Sequence, residues 1–69
     1  MLSDVISEYI KSNGIKQKFI AEQLTLSDKA VSDIMSGKRK ILAEEYYVLC
    51  KTLGVPMTYF FEKKSEVKS

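Results

Sequence analysis

Apolar residues recur along this chain three and four apart and never alternate as they would along a half-buried strand. Leu2, Val5, Ile6, Tyr9 and Ile10 share one face of a helix predicted over residues 2–12. Ser3 can cap that helix or sit in its first turn, and Asp4 suits the positive end of its dipole. Asn13-Gly14 stops it, because glycine tolerates the left-handed conformation that a helix C-terminus often needs. A short second helix runs from Lys16 to Leu24, with Phe19, Ile20 and Leu24 on its inner side and Ala21 beneath. Thr25-Leu26-Ser27 breaks it. Ser27 has the chemistry to cap a third helix, with Asp28 in its first turn and Ala30, Val31, Ile34 and Met35 as the buried stripe. Ser36-Gly37 ends this helix.

A fourth helix is predicted from about Ala43 to Leu53, with Tyr46, Leu49, Cys50 and Leu53 turned inward and Glu44 and Glu45 at its N-terminus. Tyr46 and Tyr47 are adjacent, so they cannot both face the core equally, and one of them is available to an interface. Gly54 stops the helix, and Val55-Pro56 opens a last short one in which Met57, Phe60 and Phe61 share a face. The pattern ends there, so residues 1–62 read as one domain and residues 63–69 as a charged, disordered tail. The fold class is all-α, a compact five-helix domain in which the second and third helices, about three residues apart, form a helix-turn-helix.

Composition narrows the function classes. At 69 residues, 45% of them hydrophobic and 29% charged, the chain is globular and holds one domain. A chain this short buries only about 60% of the surface its unfolded form exposes, so self-association is a natural way to add burial. No apolar run approaches the roughly 20 residues needed to span a bilayer, and Met-Leu-Ser-Asp does not open a signal peptide. The expected localisation is cytoplasmic, with no membrane partner. One cysteine and no histidine exclude an internal disulfide, and with it zinc sites and His-assisted nucleophiles. Cys50 reads as a small buried apolar residue. No paired catalytic constellation is left, so neither enzymatic activity nor a cofactor is expected.

The net charge of +2 is too small to identify a partner, but its distribution is informative. Lys38-Arg39-Lys40 places three positive charges side by side just after Gly37, with no acidic residue between Gly37 and Leu42. Phosphate binding requires such a localised patch, although a solvated loop would carry the same residues.

Five short helices with glycine stops at Gly14, Gly37 and Gly54 resemble the Cro/repressor-type helix-turn-helix family over residues 2–61. The stretch from Ile15 to Leu24 is similar to the family's second helix, with its glutamine at Gln17 and its small residue at Ala21. Leu26-Ser27 and Val31-Ser32 match the path into the reading helix, Ser36-Gly37-Lys38-Arg39 the exit from it, and Leu53-Gly54-Val55 with Tyr59-Phe60-Phe61 the close. Departures occur at Thr25, where the family often has glycine, at Lys16 and Leu42, where capping hydroxyls are usual, and at Met35, which replaces a frequent glutamate. A β-branched residue at positive φ is strained, so the turn at Thr25 is expected to take another geometry.

The resemblance implies a transcription regulator of bacterial or phage origin that binds double-stranded DNA, with repression the commoner mode. Base contacts would come from the outward face of the third helix, at Asp28, Lys29, Ser32 and Asp33. Asp28 also reads as a helix-dipole residue and Asp33 as part of a solvated face. Phosphate contacts would come from Lys16, Gln17, Lys18, Ser27, Lys38, Arg39 and Lys40. One short helix covers few base pairs, so a homodimer on a palindromic operator is expected, with Met57, Tyr59, Phe60 and Phe61 as its candidate interface, although Phe60 reads as core more than as interface. The rival reading is an antitoxin-like or other protein-interaction module on the same fold, and a protein partner is its corollary. The start methionine and charged end favour a stand-alone regulator over a piece of a longer repressor.

Overall fold

Ile20, Val31, Leu49 and Phe60, one from each of four successive segments, are 0% exposed and meet Ile6 and Ile10 in a single core. The computed structural model of the protein describes residues 2–62, all helix and connecting turn without a strand among them. The 63–69 tail lies outside the described residues. Four helices carry the core: α1 (Leu2–Ser12), α2 (Gln17–Leu24), α3 (Asp28–Met35) and α4 (Ala43–Leu53). Residues 59–62 are helical again. The α2 helix packs against both α3 and α4, while α1 packs against α3. Each fully buried aliphatic or aromatic side chain contributes about 1.5–3 kcal/mol through burial.

The inner stripes follow the sequence periodicity, with two exceptions. Phe19 is 46% exposed rather than part of the α2 stripe. On a helical wheel Ile20, Ala21 and Leu24 cluster on one side, and Phe19 falls roughly 145° from their centre at about 100° per residue. The second exception is the last helix, which begins at residue 59 instead of at Pro56, with residues 57–58 in a turn. Pro56 starts that turn by accepting the Tyr59 N–H at 3.0 Å. Met57 therefore sits outside the helix and does not share a buried face with Phe60.

An aromatic cluster joins α1 and α4 to the helical residues 59–62. Phe60 meets Tyr9 edge-on at 5.5 Å, Tyr59 at 5.2 Å and Tyr46 at 6.4 Å between ring centroids. Tyr46, the inward member of the tyrosine pair, donates its hydroxyl to the Met57 carbonyl and so ties the 57–58 turn to α4. Burial, and secondly its contact with Cys50, pushes the Tyr46 hydroxyl far above its usual range. Burial likewise raises the Cys50 thiol, against a smaller opposing influence of the neighbouring Tyr46 hydroxyl. Tyr47 points outward, with the Lys51 ammonium 5.6 Å from its ring centroid.

Helix ends show where the sequence compromises. Gly54 caps α4 at φ 73°, with open space around its α-carbon, so its conformation and not crowding demands glycine. Thr25 caps α2 at φ 58° and ψ 43°. The expectation that this turn avoids the left-handed region is thus corrected. The α2 end closes on it through Leu26 N–H to Ala21 O at 2.9 Å, and that bond outweighs the strain. A left-handed L-residue costs about 1–2 kcal/mol, part of which glycine gives back in chain entropy. Thr25→Gly should therefore stabilise the domain by about 0.5–1 kcal/mol, read as a rise in thermal midpoint of roughly 3–6 °C. An unchanged or lower midpoint would show that the turn carries no strain.

Candidate nucleic-acid interface

The interface begins with an open helix end. Lys16 is extended at φ −81°, and its side chain gives no cap to α2 because an ammonium cannot accept. Its carbonyl takes the Phe19 and Ile20 N–H groups at 3.1 and 3.3 Å, which leaves the N–H groups of the first turn without a capping side chain. Lys16, Gln17 and Lys18 are all exposed at this end.

Ser27 caps α3 as its chemistry suggests: its Oγ accepts the Ala30 N–H at 3.1 Å, and its carbonyl accepts the Val31 N–H at 3.1 Å. The hydroxyl proton stays available to donate. With Val31, Ile34 and Met35 buried, Asp28, Lys29 and Ser32 are exposed on the opposite side, and Asp33 is half-buried beside them. The Lys29 ammonium lies 3.3 Å from Asp33 Oδ2, one helical turn on. These two proposed base-reading groups are thus paired with each other. A pair so exposed is worth about 0–1 kcal/mol, so it opens cheaply to a better partner.

The exit from α3 is firmly built. The Asp33 carbonyl accepts from Lys38 N–H at 2.8 Å, Arg39 N–H at 3.1 Å and Ser36 Oγ at 3.2 Å, while Gly37 turns at φ 82°. Lys38 and Lys40 emerge exposed. Arg39 between them does not. Its guanidinium meets Glu45 with two hydrogen bonds, Nη2 to Oε2 at 3.1 Å and Nη1 to Oε1 at 3.4 Å. Glu45 Oε1 also accepts the Leu42 N–H at 2.9 Å, so it caps α4 although Leu42 itself offers no acceptor. Sequence reasoning missed this pairing. Glu at the third position after Leu42 is the acidic half of a capping box and signals the cap alone, not the arginine.

The four apolar residues expected at a dimer interface separate. Phe60 is fully buried and belongs to the core, so it is corrected out of that surface. Tyr59 is half-buried, 5.5 Å from Tyr9. Met57 and Phe61 are 43% and 51% exposed, and Phe61 stacks edge-on to Tyr46 at 5.8 Å. Among the described residues Leu42 is the most exposed large apolar one, at 59%.

Among the described residues no helix is long and apolar enough to cross a membrane, and no group of His, Cys, Asp or Glu is arranged to hold a metal ion. The model of a helix-turn-helix family matches residues 6–60, most of the chain. No curated protein and no solved structure matches it.

Proposed function

The chain belongs to the Cro/repressor-type helix-turn-helix family and is a DNA-binding transcription regulator, and on that premise we propose that it is a repressor that binds a palindromic operator as a homodimer. The observation that carries this reading is the Ser27-capped α3, with Asp28, Lys29 and Ser32 exposed on one face and lysines exposed at both flanks. Lys29 donates to guanine O6 and N7 once it leaves Asp33, Ser32 donates or accepts, and Asp28 and the released Asp33 accept from cytosine N4. Lys16, Gln17, Lys18, Ser27, Lys38 and Lys40 hold phosphates and set the register. Met57 and Phe61, with the exposed edge of Tyr59, supply the apolar surface for the second copy.

Selection of preferred sites from random duplexes tests this. The expected product is a palindrome whose half-sites lie about one helical turn apart, roughly 10 base pairs. Lys29→Ala should relax one position in each half-site, losing about 1–3 kcal/mol of discrimination there. Selection that enriches no sequence would sink operator reading. Exposure of Phe19, Leu42 and Tyr47 favours a second reading, a protein-interaction module. Absence of duplex binding even at low salt, together with a co-purifying protein, would establish that one.

A further inference from the structure

We propose that Arg39 is a positioning residue and not a phosphate ligand: gripped by Glu45, it holds the 36–42 segment so that Lys38 and Lys40 meet the DNA backbone. This rests on the DNA-reading function above. The α3 helix packs on α1 and α2, and α4 packs on α2, so the segment between them is what relates the end of α3 to the start of α4. Arg39 is anchored at both ends of that segment. Its N–H joins Lys38 N–H on the Asp33 carbonyl of α3, and its guanidinium joins Leu42 N–H on the Glu45 carboxylate of α4. The side chains are 36% exposed for Arg39 and 12% for Glu45, in a fork-on-fork geometry that a lysine cannot reproduce.

The flanking residues behave differently. Lys38 and Lys40 are exposed and unpaired among the described residues, free to follow a phosphate. Moving the Arg39 guanidinium to a phosphate would strip Glu45 of its cation while the carboxylate stayed largely shielded from water. That cost is absent for the two lysines.

A double-mutant cycle on the full chain tests the assignment, with affinity for one fixed duplex measured over a series of salt concentrations. Arg39→Lys keeps the charge and loses the fork. It should weaken binding by about three- to fivefold at low salt and lower the salt slope by part of the roughly 0.9 that each misplaced lysine contributes, whereas a phosphate ligand that keeps its charge would leave the slope unchanged. Lys38→Ala should lower the slope by about 0.9. If Arg39 places Lys38, the Lys38→Ala loss should shrink from about fivefold in the wild type to about twofold in the Arg39→Lys background, which a merely structural role would not produce. Glu45→Gln retains the acceptor for Leu42 N–H and should also weaken binding. An Arg39→Lys chain that binds like the wild type, or a Glu45→Gln chain that binds more tightly, would show a phosphate ligand restrained by Glu45 and overturn the proposal. A wild type that binds no duplex overturns the DNA reading itself, and this inference with it.

Discussion

Phe60→Ala is expected to remove about 3–5 kcal/mol of stability, the range for emptying a buried phenylalanine site. The ring is fully buried against Tyr9, Tyr46 and Tyr59, one from α1, one from α4 and one from its own segment. Its loss therefore leaves a cavity that no single side chain can fill. A domain of this length has only about 3–10 kcal/mol in total at roughly 0.05–0.15 kcal/mol per residue. The thermal midpoint, followed by helical circular dichroism, should fall by about 15–30 °C or the transition vanish. Phe61→Ala is the control. At an exposed position it should cost below about 1 kcal/mol in the monomer, and any larger loss should depend on protein concentration if Phe61 lies at a dimer interface. Equal effects of the two substitutions at every concentration would contradict the assignment of Phe60 to the core.

Raising salt from roughly 50 to roughly 200 mM should weaken duplex binding by about 150-fold per subunit. Lys16, Lys18, Lys38 and Lys40 are the exposed cations without an ion-pair partner at the proposed interface, and Lys29 is reserved for bases. Each phosphate neutralised contributes about −0.9 to the slope of log affinity against log salt, so these lysines together give about −3.6 per subunit. A dimer that engages both half-sites should therefore approach about −7, and the slope reads oligomeric state on the DNA as well as charge. A slope near zero would mean that phosphates are not the partners of these lysines. A slope near −4 at a palindromic site would mean that one subunit binds at a time.

Much of the fold is legible in residues a few positions apart. Ser27 three residues before Ala30 specifies a cap, and the spacing of Val31, Ile34 and Met35 specifies which face of α3 turns outward. The open end at Lys16 also follows from side-chain chemistry alone, since an ammonium has nothing to offer a backbone N–H. The miss at Phe19 was avoidable, because the helical wheel already turns it away from Ile20 and Leu24. Thr25 was not. Its intrinsic preference argues against positive φ, and only the closing bond from Leu26 to Ala21, with Leu26 packed against the core, settles the turn.

The sequence by itself determined the helices, their inward stripes and the order that marks the family, because periodicity and capping act within a turn or two of helix. The tertiary structure alone decided which tyrosines Phe60 packs beneath, that the last helix waits until residue 59, and that Arg39 spends its charge on Glu45. Those outcomes depend on which groups from separate segments arrive within contact distance. A buried ring or a bidentate ion pair is chosen by the neighbours that packing supplies, and local sequence carries no record of them.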